Sequence, residues 1–241
     1  MRPEAARAVR AVYDAVGRHG SHAPQGLCLT TGRELALALG YPAEWLAEVP
    51  ETLLEAFVGA GPVAVLGTPR PGEVVVDLGC GAGVDSFLAT RAGAQVVALD
   101  ASEPMLARLV RAAATYPGGL DLHLLRGVAP HLPLANAVAH QVWLNGVANL
   151  LADRPGLCRE LARVLRPGGQ LLVADMFARQ AVPAELRDLP EAWAWCVAGA
   201  GTPEEWQRTV CAAGFAAVTV TIAEEFPPFC RGVLRAVRAG E

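Results

Sequence analysis

Residues 74–86 read VVVDLGCGAGVDS, in which an apolar run stops at Asp77 and glycines follow at positions 79, 81 and 83. An apolar run that leads into a glycine turn is typical of a buried parallel strand followed by a helix. Glycines at such a turn let a ligand approach the backbone closely. The stretch therefore predicts an α/β fold and also the place of its ligand.

The chain around this stretch alternates between strand and helix patterns. Apolar strands are predicted at 73–78, 95–99, 120–125, 141–145, 170–176 and 216–226. Helices are predicted at 84–92, after the N-cap Ser102, at 154–165 and after the N-cap Thr202; the glycines of RPGG (166–169) are expected to end the third. The pattern predicts a doubly wound, mostly parallel sheet over residues 61–241.

A helical addition is predicted over residues 1–60, and we expect it to cover the site. Val9, Val12, Tyr13 and Val16 recur at the spacing of an amphipathic helix. No run approaches 18 uncharged apolar residues, and no export signal is present, so we expect a cytoplasmic protein with reduced thiols and no membrane span.

Composition excludes several functions. The 20 basic residues are all arginine, which excludes a phosphate-loop lysine and a lysine Schiff base. A net charge of −4 gives no reason to expect nucleic acid or an anionic membrane as a partner. The six cysteines form no CxxC pair and the histidines show no ligand spacing, so no metal site is predicted.

The acids beside the glycine turn restrict the choice of ligand. The glycine spacing does not match the GxGxxG of dinucleotide-binding proteins, and Asp77 would repel a pyrophosphate. Asp100 ends the second strand, where a carboxylate can accept hydrogen bonds from ribose hydroxyls. A nucleoside with a positive tail that lacks phosphate fits both acids, and S-adenosylmethionine is such a molecule.

Three motifs in order resemble class I S-adenosylmethionine-dependent methyltransferases: VVVDLGCGAG, VVALDASEPML and RVLRPGGQLLVADMF, within residues 70–178. The resemblance implies a seven-stranded sheet of the Rossmann-like type and S-adenosylmethionine as cofactor. It implies that Asp77 and the glycine turn hold the methionine part and Asp100 the ribose. The implied cofactor-binding residues are Asp77, Gly79, Cys80, Gly81, Gly83, Asp100, Ala101, Met105, Val128, Ala129 and Asn145.

Segments outside these motifs resemble arsenite methyltransferases, which hold the acceptor between cysteines. Cys28 in CLTTG and Cys196 in WCVAGA match two of the family's cysteines, whereas Gly146 in NGVANL stands where the family has a third. Arsenic(III) is a soft acceptor and prefers thiolate ligands. The resemblance implies that Cys28 and Cys196 are acceptor-binding thiols, with a small molecule or metalloid as substrate.

Two alternatives stay open. Gly146 and the tryptophans near Cys196 are compatible with a methyltransferase for an organic small molecule. Val128 stands in place of an acid near the adenine, and Ala139–His140 replaces an aromatic–Asp pair, which suits a non-catalytic binder of cofactor or metalloid. We expect a monomer or a weak dimer in each case.

Overall fold

The computed structural model describes residues 3–20, 31–117 and 119–240. Within these ranges the strands form one seven-stranded sheet in the order β3-β2-β1-β4-β5-β7-β6. The strands are β1 (Val74–Leu78), β2 (Gln95–Asp100), β3 (Leu122–Arg126), β4 (Ala139–Asn145), β5 (Leu165–Ala178), β6 (Phe215–Phe226) and β7 (Phe229–Arg238). The first five run parallel, and β7 is antiparallel to both β5 and β6. The predicted fold class is confirmed.

Helices cover the sheet and precede it. They are α1 (Pro3–His19), α2 (Gly32–Ala38), α3 (Ala43–Glu48), α4 (Glu51–Leu54), α5 (Val63–Gly67), α6 (Val84–Arg91), α7 (Glu103–Thr115), α8 (Arg154–Val164), α9 (Ala184–Asp188), α10 (Pro190–Ala194) and α11 (Pro203–Ala212). Ser102 caps α7, and Thr202 caps α11 in a capping box with Glu205, both as predicted. In the described ranges, no helix combines the length and apolar character that crossing a membrane requires.

The strand order places the site. β1 pairs with β2 on one side and with β4 on the other, so the winding reverses between β1 and β4. A crevice opens at the carboxyl ends of strands at such a reversal. The glycine turn after β1 therefore lies next to the Asn145–Gly146 corner after β4.

The region around β5 corrects one prediction. The glycines of RPGG do not end α8, because the helix ends at Val164 and Leu165 already has extended angles. Arg166 precedes a proline, a position that disfavours helical angles, and the chain enters β5 at once. Gly168, at φ 75°, lies inside the irregular start of this strand.

The N-terminal helices and the sheet share one core. Leu46 and Leu53 are fully buried in the same cluster as Val75 and Trp143. The predicted helix of residues 9–16 is confirmed as part of α1, in which Val16 is fully buried. The predicted boundary at residue 60 stays a prediction.

Candidate functional site

A cavity of about 190 Å³ opens at the carboxyl ends of β1, β2 and β4. Its walls are the glycine turn, the end of β2, residues 127–129 after β3, residues 145–151 after β4, and α1. Every residue of the predicted cofactor-binding set contributes to this lining. The structure thus brings the set together, while the individual roles stay predictions.

The glycines of the turn meet different surroundings. A Cβ at Gly79 (φ 75°) would lie 2.7 Å from the Cβ of Val147, so this glycine is needed for close contact between the turn and the segment after β4. A Cβ at Gly81 (φ 54°) would have no heavy atom within 4 Å. The middle of the turn therefore faces open space in the cavity.

Asp100 connects the end of β2 to the glycine turn. Its Oδ2 accepts a hydrogen bond from the Gly81 amide at 2.8 Å, and its Oδ1 accepts one from the Ser102 amide at 2.7 Å. Burial raises the pKa of this carboxyl above its ordinary value. The hydrogen bonds from these amides lower the pKa, but by less. Each oxygen retains a lone pair that a ligand hydroxyl can use.

Asp77 lies beneath the turn and is almost fully buried. Its Oδ2 accepts a hydrogen bond from the Ser86 hydroxyl at 2.6 Å. Burial raises the pKa of Asp77, and the nearby carboxyl of Asp85 raises it further. A positive ligand above this pair would favour the ionised form of the acids.

Asn145 fastens the segment before β1 to the end of β4. Its Oδ1 accepts from the Ala60 amide at 2.7 Å, and its Nδ2 donates to Asp85 at 2.8 Å and to the Gly61 carbonyl at 2.9 Å. Tyr41 donates to Asp85 at 2.6 Å in the same network. Asn145 borders the cavity, but these protein groups already occupy its amide.

Cys196 and Gly146 meet beside the cavity. The Cys196 thiol donates to the Gly146 carbonyl oxygen at 3.5 Å, although the two residues are 50 positions apart. Cys196 is buried and has a left-handed backbone (φ 61°), which is uncommon for a residue other than glycine. The second predicted acceptor thiol, Cys28, lies outside the described residues.

Sequence reasoning missed an acid next to Cys196. Asp175 in β5 is almost fully buried, and it accepts hydrogen bonds from the amide of Asn149 at 3.1 Å and from the Asn149 side chain at 2.8 Å. Burial raises the pKa of Asp175 to about 6. The available signal was an acid inside the apolar run LLVADMF.

The sequence predicted that the N-terminal helical segment covers the site, but not which residues of α1 line the cavity. Val9, Arg10 and Tyr13 line the cavity from this helix. Among the described lining residues Arg10 is the one basic side chain, facing a set that includes Asp77, Asp85 and Asp100. The Asp14 carboxylate accepts a hydrogen bond from the Ser102 hydroxyl at 2.6 Å, which fixes α1 against the start of α7.

Comparisons with known proteins agree with this geometry. A family model for a methyltransferase domain matches residues 69–214. Arsenite methyltransferase of Halobacterium salinarum is 30% identical over 194 residues, which are 79% of this chain and 49% of that protein. Malonyl-[acyl-carrier protein] O-methyltransferase of Serratia marcescens is 32% identical over 128 residues, 53% of this chain and 46% of that protein.

A solved structure shows the same fold. The crystal structure of an arsenic(III) S-adenosylmethionine methyltransferase from Chlamydomonas reinhardtii superposes with a TM-score of 0.66 at 22% identity, covering 82% of this chain and 72% of that one. The chain spans about half the length of the curated relatives named above.

Proposed function

We propose, from the premise that this chain belongs to the methyltransferase domain family, that it transfers the methyl group of S-adenosylmethionine to a thiol-bound trivalent arsenical or a similarly soft acceptor. The family match covers most of the chain and confirms the predicted kinship with S-adenosylmethionine-dependent methyltransferases and the predicted cofactor. The acceptor and the roles of individual residues belong to the proposal.

The cavity residues fit this cofactor. S-adenosylmethionine carries a sulfonium, an ammonium and one carboxylate, and the described lining contains three acids and one guanidinium, that of Arg10. Gly81 faces open space where a side chain would obstruct a ligand. In the proposal, Asp77 and the turn hold the methionine part, Asp100 holds the ribose, and Met105 and Val128 border the adenine.

The chain's own contribution to methyl transfer is positioning. When bound, the cofactor supplies an electrophilic methyl group. The protein then has to align the acceptor with this group and exclude water. Helix α1 is suited to the second task, because it closes one side of the cavity with Val9 and Tyr13.

The observation that carries the choice of acceptor is the contact between Cys196 and Gly146. It places a thiol directly behind the cavity wall, at the carboxyl end of β4, where sulfur can bind a soft metalloid. In the proposal Cys28 supplies a second thiol. The proposal requires reduced thiols, as expected in a cytoplasm. Because the residues of one chain line the cavity, the proposal does not require a second copy of the protein.

The experiment replaces Cys196 by serine and measures the binding of a trivalent arsenical and the binding of S-adenosylmethionine. A hydroxyl is a hard, poor ligand for arsenic, so Cys196→Ser should abolish binding and methylation of a trivalent arsenical. S-adenosylmethionine binding, measured by calorimetry, should not change.

Cys230→Ser is the matched control. Cys230 is also buried, and its thiol also donates to a backbone carbonyl, that of Phe177 at 3.7 Å, but Phe177 does not line the cavity, whereas Gly146, the partner of Cys196, does. This variant should methylate like the wild type. If Cys196→Ser also methylates arsenicals like the wild type, the soft-acceptor proposal is wrong.

A second candidate is an organic small-molecule acceptor. The likeness to the malonyl-[acyl-carrier protein] O-methyltransferase favours it, as do the apolar side chains of Val9, Val147 and Leu150 in the cavity lining. Product analysis with arsenicals and with organic acids separates the two. Cofactor binding without any methylated product would instead favour the non-catalytic binder.

A further inference from the structure

Val128 is an apolar side chain that the protein leaves uncovered in the wall of its own cavity. It follows β3 and lines the cavity, yet 57% of it is exposed. A single exposed valine is ordinary on a protein surface, but this one faces a ligand site. Its neighbours in the lining, Gly127 and Ala129, add no polar side chain. The loop wall, as we call residues 127–129, therefore offers apolar contact to a ligand.

Helix α8 fixes the loop that carries this wall. The Arg163 guanidinium donates to the Leu134 carbonyl at 2.7 Å and to the Leu132 carbonyl at 3.1 Å. The Glu160 carboxylate accepts from the Leu132 amide at 2.7 Å and from Arg163 at 2.7 Å. The Leu132 side chain is buried in the core. The loop is thus held by its backbone and by Leu132, while Val128 stays exposed.

The charges of the cavity determine which end of the cofactor meets the loop wall. In the sheet, β3 lies on one side of β2, and β1 and β4 lie on the other. Two of the three acids in the described lining, Asp77 and Asp85, belong to β1 and to the first turn of α6. They favour the positive methionine part of the cofactor on that side. With the ribose at Asp100, at the end of β2, the base is left on the side of β3, against Val128.

The polar side chains closest in sequence to this place already have partners within the protein. The Ser102 hydroxyl donates to Asp14 at 2.6 Å and accepts from the Met105 amide at 3.4 Å. Arg126, at the end of β3, donates to Glu103 at 2.6 Å, and neither residue of this pair lines the cavity. We therefore expect water, which reaches the exposed wall, to bind the amino group of an adenine base.

We propose that Val128 determines how the base of the cofactor is recognised. Its apolar side chain contacts the purine ring, and no side chain of the lining residues that the structure describes binds the amino group at position 6 of that ring. The protein then accepts cofactors that are altered at this position. The inference rests on the proposed function, because it takes the ribose to lie at Asp100, but it does not depend on the methyl acceptor.

The test compares two ligands that differ only in this amino group. S-adenosylhomocysteine carries it, whereas the 6-deamino analogue has a hydrogen in its place and keeps every ring nitrogen. Both ligands lack the reactive methyl group, so no transfer interferes with the measurement. Calorimetry gives the dissociation constant of each ligand with the wild type and with three variants.

The wild type should bind the two ligands with dissociation constants that agree within about fivefold. An amino group that stays with water contributes little to affinity, because water binds it in the free and in the bound ligand. A hydrogen bond from the amino group to a protein acceptor would instead favour S-adenosylhomocysteine by about tenfold. A preference of that size in the wild type would overturn the proposal without any variant.

Two substitutions of Val128 test the contact itself. Val128→Asp should create a preference of about tenfold for S-adenosylhomocysteine, because the new carboxylate can accept from the amino group. Val128→Ala should weaken both ligands equally, about fivefold, because part of the apolar contact is lost. A role of Val128 in the fold alone would not change the ratio of the two constants. Unchanged binding of both ligands to Val128→Ala would show that the base lies elsewhere.

Val110→Asp is the matched control. Val110 of α7 is 50% exposed and does not line the cavity, so this variant should bind both ligands like the wild type. If Val128→Asp does not fold, the wild type and Val128→Ala decide. Equal binding of the two ligands by the wild type supports the proposal even if arsenicals prove not to be methylated. Arsenical methylation by a protein that prefers S-adenosylhomocysteine tenfold would support the function and overturn this inference.

Discussion

The two sides of the cavity are built in opposite ways. The main part of the proposed cofactor side lies within residues 77–100: the glycine turn, Asp77 and the end of β2, joined by contacts such as that from the Gly81 amide to the Asp100 carboxylate. The proposed acceptor side is assembled from distant segments: the Cys196 thiol after α10 contacts the Gly146 carbonyl after β4, and the Tyr13 hydroxyl of α1 contacts the Ala194 carbonyl of α10. A ligand common to a whole family can be held by a local motif, whereas the acceptor that distinguishes one protein needs remote residues.

The two sides share one kind of strain and differ in another. Glycine relieves a steric conflict on the cofactor side, where Gly79 packs on Val147. Buried carboxyls with a raised pKa lie on both sides, Asp77 beneath the turn and Asp175 in β5. Substitution of Gly79 should therefore lower the stability itself, whereas substitution of Asp175 should change how the stability depends on pH.

The largest expected effect is steric. Gly79→Ala would place a Cβ 2.7 Å from that of Val147 at a positive φ, so the free energy of unfolding should fall by about 4 kcal/mol, the sum of overpacking and backbone strain. Gly72→Ala is the control, since it has a similar φ of 80° but no atom within 4 Å. Denaturant unfolding of both variants measures the difference, and equal losses would show that Val147 does not press on the turn.

The next effect is electrostatic and depends on pH. The pKa of Asp175 is about 6 when folded and about 3.9 in an unfolded chain. Because the folded state binds this proton more tightly, Asp175 favours folding below pH 4, and its contribution is lost as the pH rises through 6. From pH 4 to pH 7 the wild type should lose about 2 kcal/mol more than Asp175→Asn.

Urea unfolding at several pH values tests this expectation. Asp77, whose pKa is also raised, contributes in the same direction to both proteins and cancels in the difference. Parallel curves for the two proteins would mean that Asp175 is not a strained acid.

The same contrast explains what the sequence could reveal. The strand before the turn and the Asp100 position were predictable, because a few consecutive residues determine them. Tyr13 meets Ala194, and Cys196 meets Gly146, only through the fold, and no spacing along the chain relates these positions. The amide of Asn145 likewise meets partners at 60–61 and 85 that its local motif does not indicate.

The last strand was missed for a related reason. β7 is inserted antiparallel between β5 and β6, and its segment carries Arg231 and Arg235, which interrupt the apolar pattern. Arg231 pairs with Glu224 of β6, so a cross-strand contact offsets the charge. A search for apolar runs cannot detect a strand of this kind.

A smaller effect tests the cofactor side through binding. Asp100→Ala should weaken S-adenosylmethionine binding about 10- to 100-fold, because the proposed role of Asp100 is to make charge-assisted hydrogen bonds to the ribose. The structure adds that the Gly81 and Ser102 amides lose their acceptor, so the melting temperature should fall too. Asp14→Ala, which removes a hydrogen bond to the Ser102 hydroxyl and leaves Asp100 in place, is the control. An unchanged dissociation constant in Asp100→Ala would remove this acid from the site.

The smallest expected effect comes from adding a thiol at position 146, at the end of β4. This change would give the proposed acceptor side a ligand that lies next to the cavity. Gly146→Cys has room for its side chain, since a Cβ there would lie 3.8 Å from the Gly59 Cα. Its φ of 69° costs about 1–2 kcal/mol of stability, which Gly146→Ser should share. With Cys196 at the Gly146 carbonyl, a new thiolate should tighten arsenite binding about tenfold, or about 1.4 kcal/mol, whereas the serine variant should not.

Affinity and thermal stability measured on both variants separate ligation from strain. A folded Gly146→Cys protein that binds arsenite no better than Gly146→Ser would show that positions 146 and 196 do not bind one metalloid, and the organic acceptor would then be favoured.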